Sequence, residues 1–232
     1  MGEASGLPMP TAAPAPLNRT LVIECATEAC SVALFEGDTL RLVDARHEVL
    51  GRGHAERLIP MIAELPEKGR AGHICVSLGP GSFTGVRIGI AAARALGIAW
   101  GARVTGYPTL ALIAAGAQSG SRPVTVCMEG GHSQWFIQNF DGHGGAQDLV
   151  QSLPYPEAAK ACRHPVIAGN RAAALAQLLE DGREVIEISA DARHFPFLHH
   201  NTLTDDLTPL YGRAPDAKPA NTPASQPQKP TQ

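Results

Sequence analysis

The stretch that decides the fold runs from Ser77 to Gly101 and has the sequence SLGPGSFTGVRIGIAAARALGIAWG. It begins as a strand, turns at a Gly-Pro-Gly sequence and continues as a helix. The pattern predicts that the helix starts at Ser82, because a serine hydroxyl at this position accepts a hydrogen bond from a free backbone N–H group of the first turn. No Gly-Lys-Ser/Thr follows the turn, so it does not match a phosphate loop of the Walker type.

Small residues recur every four positions along this predicted helix, at Gly85, Gly89, Ala93 and Gly97, and therefore share one face. Each interior glycine costs roughly 1 kcal/mol of helix stability relative to alanine. The stripe thus indicates a close backbone contact, either with the protein's own sheet or with a helix of a partner. The second interpretation predicts that Gly89→Arg abolishes pairing while the monomer stays folded.

The elements around this stretch follow one order twice. The predicted order is strand, strand, strand, helix, strand, helix, and the elements that precede the turn are Leu21–Ala26, Ser31–Phe35, Leu40–His47, His54–Leu65 and His73–Gly79. The order begins again in shorter form at Val124–Met128, Gln134–Phe140, Tyr155–Cys162, Val166–Ala168, Arg171–Glu180 and Val185–Ile188. Two such halves predict a duplicated α/β fold with helices packed on mixed sheets.

The two ends of the chain differ in composition from the part between them. Pro- and Ala-rich sequence predicts disordered tails over residues 1–18 and 213–232, around an N-terminal subdomain over 19–107 and a C-terminal subdomain over 108–212. The first tail lacks a basic start and a continuous apolar stretch, so we do not expect a secretory signal. No apolar run reaches the ~18 to 20 residues of a membrane-spanning helix, so we expect no membrane contact.

Charge and cysteine content limit the classes of function. The formal net charge is −3 and the pI is near 6.3, whereas a domain that grips nucleic acid alone normally carries a basic excess. The five cysteines show neither a CxxC pair nor a metal-ligand spacing. We therefore expect buried structural thiols in a reducing compartment, the cytoplasm, with a metal or redox role as the alternative.

Four stretches together resemble the TsaB (YeaZ) family. They are IECATEACSVALFEGD from residue 23, RGHAERLIPMIAEL from residue 52, GPGSFTGVRIGIAAARALG from residue 79 and TPLYGRAPDAKP from residue 208. The sequence departs from the family at Glu24-Cys25-Ala26, where such proteins usually have Asp-Thr/Ser-Ser, and in the segment MEGGH from residue 128. The resemblance implies an actin-like/Hsp70-like (ASKHA) duplicated fold with two βββαβα-type subdomains, the second abbreviated.

The resemblance also implies that the protein does not itself catalyse a reaction. TsaB-like proteins pair with TsaD, a larger paralogue that transfers threonylcarbamoyl to adenosine 37 of tRNAs. We therefore expect a non-catalytic subunit that forms a heterodimer with a TsaD-like transferase, works with a TsaE-like ATPase, meets tRNA only through the complex, and forms a homodimer when alone. ATP and Mg²⁺ are expected at the level of the complex. The expected partner interface comprises Arg57, Leu58, Met61, Gly85, Val86, Gly89, Ile90, Ala93 and Gly97.

An autonomous enzyme is the main alternative. Enzymes of the ASKHA fold bind ATP between their halves, and Glu24, Glu129 and the turn at Gly169 are the weak nucleotide candidates. A carboxylate pair could hold a Mg²⁺-nucleotide, but both glutamates could equally be ordinary strand and turn residues. The HxxxH pair that holds the metal of TsaD is missing, so we expect no metal site. The alternatives are an ATP-dependent kinase, a carbamoyl-type transferase or a peptidase-like protein.

Overall fold

The computed structural model describes residues 18–118 and 121–212, so residues 1–17 of the first predicted tail (1–18) and all of the second (213–232) lie outside the described residues. The first sheet consists of β1 (Arg19–Glu24), β2 (Ala29–Glu36), β3 (Arg41–Val49), β4 (His73–Ser77) and β5 (Arg103–Tyr107). The second sheet consists of β6 (Val124–Gly131), β7 (Gln134–Phe140), β8 (Gln151–Pro154), β9 (Val166–Ala168) and β10 (Glu184–Ile186). The helices are α1 (His54–Ala63), α2 (Phe83–Trp100), α3 (Thr109–Ala117), α4 (Tyr155–Ala161) and α5 (Ala172–Leu179), and short 3₁₀ turns occupy Pro66–Gly69, Ala192–Phe197 and His200–Thr202. Within the described ranges, no helix is long and apolar enough to cross a bilayer.

The two sheets have the same topology. The strand order is β3-β2-β1-β4-β5 in the first sheet and β8-β7-β6-β9-β10 in the second. In each sheet the first three strands pair antiparallel and the last two pair parallel. This repetition confirms the duplicated α/β fold. The sequence pattern does not predict β5, α3 or β8. Within the described residues, the second half has five strands like the first, but most of its elements are shorter.

Helix α3 lies between the two sheets and is almost entirely buried. Successive residues of a strand face opposite sides of its sheet, and in both sheets one of these sides faces α3. Val22 of β1 belongs to the core around α3, whereas Leu21 and Ile23 face α1 and α2. In the second sheet Met128 faces the α3 side and Cys127 faces α4 and α5. A helix that is covered on all sides has no polar face, which explains why its sequence, TLALIAAGA, shows no amphipathic pattern.

The segment after Ala190 returns to the first sheet. The ring of Phe195 lies 6.2 Å from the ring of Phe35 and 5.9 Å from the ring of Tyr107, measured between centroids. Further on, the backbone of Thr204 forms an antiparallel bridge with β5. The division of the chain into two subdomains between residues 107 and 108 stays a prediction. The segment after Ala190, which belongs to the second predicted subdomain, packs on the sheet of the first.

Candidate functional site

Helix α2 begins on the turn between β1 and β2. The Ser82 hydroxyl accepts a hydrogen bond from the backbone N–H of Gly85 at 3.2 Å, which confirms the predicted cap. The Ser82 backbone N–H donates to the Ala26 carbonyl at 2.7 Å. A Cβ atom on Gly81 would lie only 2.0 Å from the same carbonyl oxygen. The start of α2 is thus docked on the protein's own backbone.

The glycine stripe of α2 packs on the protein's own sheet. A Cβ atom on Gly85 would lie 2.1 Å from the carbonyl oxygen of Cys25, and one on Gly97 would lie 2.5 Å from a methyl group of β5. A Cβ atom on Gly89 would lie 3.4 Å from the side chain of Val76 in β4, so Gly89→Arg would bury a charge in the core instead of blocking a partner. The prediction that this stripe faces a partner is wrong. The predicted interface residues that are buried in the protein's own core are Leu58, Met61, Gly85, Val86, Gly89, Ile90, Ala93 and Gly97.

Arg57, the remaining predicted interface residue, is held by ion pairs within the chain. Its guanidinium donates to Glu48 in β3 at 2.8 Å and to Glu64 just after α1 at 2.6 Å. These hydrogen bonds, first that with Glu48, raise the pKa of Arg57 above its usual range. Arg57 therefore lies at the surface as part of an ion-pair network and not as a free cation.

The face of α2 opposite the glycine stripe is exposed and carries small and apolar residues beside Arg87 and Arg94. Ala91, Ala95 and Ala99 recur every four residues along it and are exposed. The side chain of Ile98 is 88% exposed, and on the neighbouring helix α1 Ile59 is 48% exposed. Sequence reasoning missed this face, although the alanine series has the same four-residue spacing as the glycine series.

A cleft of about 380 Å³ lies between the two halves. Its walls include the β1–β2 turn, the start of α2 and the β6–β7 turn. The Asn170 side chain crosses it, because its Nδ2 donates to Glu28 at 3.2 Å and its Oδ1 accepts from the Glu129 backbone N–H at 3.0 Å. The Glu129 carboxylate also pairs with Arg171 at 2.6 Å. The sequence indicates the turn at Gly169-Asn170 as a weak nucleotide candidate but gives no sign of Glu28.

Of the three weak nucleotide candidates, only Glu129 lines this cleft. Glu24 is fully buried, and burial raises its pKa to about 7. One of its carboxylate oxygens accepts from the Ala26 backbone N–H at 2.7 Å, and the other has no partner among the described residues. Gly169 has φ +121°, and a Cβ atom there would lie 2.1 Å from the Cys127 carbonyl oxygen. The structure thus contradicts the prediction that Glu24 and Gly169 converge with Glu129 on a ligand.

The described lining of the cleft offers neither lysine nor arginine to the phosphates of a Mg²⁺-nucleotide. Polyphosphates are bound by cations and by free backbone N–H groups. The described lining residues include the carboxylates of Glu28 and Glu129 but neither lysine nor arginine, and Glu129 is already paired with Arg171. Across residues 18–118 and 121–212, no three His, Cys, Asp or Glu side chains come together in a way that could hold a metal ion.

Comparison with known proteins places this geometry in a family. The profile of the family described as "TsaD: tRNA N6-adenosine threonylcarbamoyltransferase" matches residues 45–198. The "tRNA threonylcarbamoyladenosine biosynthesis protein TsaB" of Escherichia coli K12 is 36% identical over 135 residues, which cover 54% of this chain and 57% of that protein. The protein of the same name from Haemophilus influenzae is 37% identical over 94 residues, which cover 38% and 37%. The chain thus spans less than two thirds of the length of these relatives.

Solved structures agree in fold. YeaZ from Pseudomonas aeruginosa superposes with a TM-score of 0.66 at 23% identity, over 79% of this chain and 91% of that one. A second structure, of an uncharacterised protein with similarity to peptidase YeaZ from the same organism, gives 0.64 at 27% identity, over 78% and 90%.

Two sheets of one topology, packed around a shared helix and separated by a cleft, define a duplicated α/β protein. Its cleft is crossed by the hydrogen bonds that the Asn170 side chain makes with Glu28 and Glu129. The chain belongs to the family described as TsaD, and it is similar to the TsaB proteins of Escherichia coli and Haemophilus influenzae.

Proposed function

We propose that this chain is the non-catalytic subunit of the complex that forms N6-threonylcarbamoyladenosine at position 37 of tRNAs. It acts by binding and supporting a TsaD-like transferase in the cytoplasm. A TsaE-like ATPase, tRNA, ATP and Mg²⁺ belong to the complex and not to this subunit alone. The names of the TsaB relatives and the matching family profile support this assignment.

The observation that carries the proposal is the exposed face of α1 and α2. Ala91, Ala95 and Ala99 present only methyl groups, so a partner helix can come close to the backbone of α2, because the distance between packed helices depends on the side chains at the contact. Ile98 and Ile59 add exposed apolar surface beside them, and contiguous exposed apolar surface marks interaction sites. A paralogue with the same duplicated fold offers an equivalent pair of helices, which makes a bundle of four helices the natural contact.

The chemistry of the cleft supports the non-catalytic part of the proposal. Glu24 is buried, Gly169 lies against the Cys127 carbonyl, and Glu129 is neutralised by Arg171. An autonomous kinase or transferase would need groups that hold phosphates or a metal. Turnover of ATP by the isolated chain that disappears in Glu129→Ala would favour that alternative.

A binding experiment with a matched control tests the interface. Ala95→Arg places a long charged side chain in the middle of the exposed face, and overpacking of a tight contact costs about 1–3 kcal/mol, with more for an unpaired charge. A loss of about 3 kcal/mol weakens association with the TsaD-like subunit roughly a hundredfold. Thermal melting of the variant should match the wild type, because Ala95 is exposed.

The control is Gln177→Arg, which adds the same side chain to an exposed position on α5 in the other half. It should bind the partner as the wild type does. Wild-type affinity of the Ala95→Arg variant would contradict the proposed interface, and so would equal losses in both variants.

A further inference from the structure

We propose that Cys25 and Cys30 form an oxidisable dithiol, a site at which a peroxide converts two thiols into one disulfide within the β1–β2 turn. The site is separate from the exposed face of α1 and α2, and it does not depend on the proposed function. Both cysteines are free and buried.

The register of β1 and β2 brings the two cysteines together. Glu24 pairs with Ser31, and the same register continued by one residue places Cys25 opposite Cys30. Their Sγ atoms are 3.6 Å apart. A disulfide bond is about 2.05 Å long and joins residues whose Cα atoms are about 4.4–6.8 Å apart. The Cα atoms of opposite residues in antiparallel strands are about 4.5–5.5 Å apart, which lies within this range. The sulfurs therefore need to approach by roughly 1.5 Å, which side-chain rotation supplies.

The two thiols have different acidities. The hydrogen bond between the two thiols lowers the pKa of Cys30, although burial and the carboxylates of Glu24 and Glu48 act in the opposite direction. The hydrogen bond with Cys30, followed by burial, raises the pKa of Cys25. Since the thiolate is the nucleophile in thiol chemistry, Cys30 is the group that attacks the oxidant and Cys25 is the group that resolves the product.

The reaction balances with hydrogen peroxide as the oxidant. The Cys30 thiolate attacks one peroxide oxygen, the O–O bond breaks, and a sulfenic acid forms as hydroxide leaves. Cys25 then attacks the sulfenic sulfur, the S–S bond forms, and the sulfenic hydroxyl leaves as water with the Cys25 proton. The hydroxide takes up the proton that Cys30 gave up. Two electrons have passed from the two sulfurs to the peroxide, and two water molecules result.

The pair lies directly behind the wall of the cleft. Ala26 and Thr27, the residues that follow Cys25, line the cleft, and the cleft is the side from which we expect a small neutral oxidant to approach. The same turn holds the start of α2 through the hydrogen bond from Ser82 to Ala26. A disulfide at this place would therefore fasten the turn on which α2 is docked.

Peptide mapping tests the proposal on the full chain. The reduced protein is treated with hydrogen peroxide, unfolded, alkylated with N-ethylmaleimide and digested with trypsin. One peptide, Thr20–Arg41, holds both cysteines and no other. We expect it to be unalkylated and ~2 Da lighter than its dithiol form, and to return to that form with dithiothreitol. Cys75, whose pKa burial raises to about 12, should be alkylated in the same sample.

Two variants separate the roles of the cysteines. Cys25→Ser introduces a residue that the family usually has at this position, and it should leave a Cys30 sulfenic acid that dimedone traps. Cys30→Ser should leave Cys25 reduced. Full alkylation of Cys25 and Cys30 after peroxide treatment of the wild type would overturn the proposal. A disulfide between two chains, or oxidation of Cys30 beyond the sulfenic stage while Cys25 stays free, would overturn it as well.

Discussion

Replacement of Gly85 by alanine measures how closely α2 is docked on the β1–β2 turn. The added Cβ atom would lie 2.1 Å from the Cys25 carbonyl oxygen, and a backbone carbonyl cannot rotate away as a side chain can. The helix or the turn must therefore shift, at a cost of about 2 kcal/mol. The shift also disturbs the 2.7 Å hydrogen bond from Ser82 to Ala26, which contributes about 1 kcal/mol. Alanine returns at most about 1 kcal/mol of helix propensity, so we expect a net loss of about 2 kcal/mol in the free energy of unfolding.

Gly89→Ala is the matched control, because it makes the same change one turn further along the same helix. Its Cβ atom would meet its nearest neighbour, a methyl group of Val76, at 3.4 Å. It should keep most of the propensity gain and be as stable as the wild type or more so, by up to about 1 kcal/mol. For a chain of this size about 1 kcal/mol corresponds to about 2–4 °C in melting temperature, so Gly85→Ala should melt about 4–8 °C below the wild type. Equal melting temperatures of the two variants would refute the docking argument.

Two further variants address burial and capping. Burial raises the pKa of Glu24 from 4.5 to about 7. Between these pH values the folded state therefore binds more protons than the unfolded state. The free energy of unfolding thus falls as the pH rises, by at most about 1.4 kcal/mol per pH unit. Glu24→Gln should remove this slope between pH 5 and 7, and an unchanged slope would show that another group causes it. Ser82→Ala removes the cap of α2 and should cost about 1 kcal/mol in urea unfolding, whereas Ser82→Thr should retain most of it; equal stability of both variants would show that the cap contributes nothing.

The elements that the sequence predicts well are those with a local pattern. The predicted strands Gln134–Phe140 and Val166–Ala168 coincide with β7 and β9, since each is an apolar run bounded by turn residues. The pattern fails for α3, because a helix between two sheets has no polar face to mark its period. It also fails for β8, a four-residue strand at the edge of its sheet, because so short a segment shows too few alternations.

For the candidate site, the sequence singles out α2 and predicts a partner contact on the face that instead packs in the protein's own core. The glycine series that starts at Gly85 and the alanine series that starts at Ala91 have the same four-residue spacing. From the sequence, either series could face a partner. Only the folded chain shows that the glycines pack on the first sheet and the β1–β2 turn, while Ala91, Ala95 and Ala99 stay exposed. Glu24 and Glu129 show the same limit, because they belong to the corresponding strands β1 and β6 but only Glu129 reaches the cleft. Burial depends on contacts between distant segments, and no local pattern encodes it.

The return of the segment after Ala190 to the first sheet affects how the protein is made. The ribosome delivers β1–β5 first, and one face of that sheet presents Val22, Phe35 and Tyr107. These side chains are completely covered only after α3 has formed and Phe195 has left the exit tunnel. A nascent chain therefore carries an uncovered apolar sheet through most of its translation, and such transiently exposed surface is what chaperones bind. The first sheet is thus synthesised first and reaches its final form last.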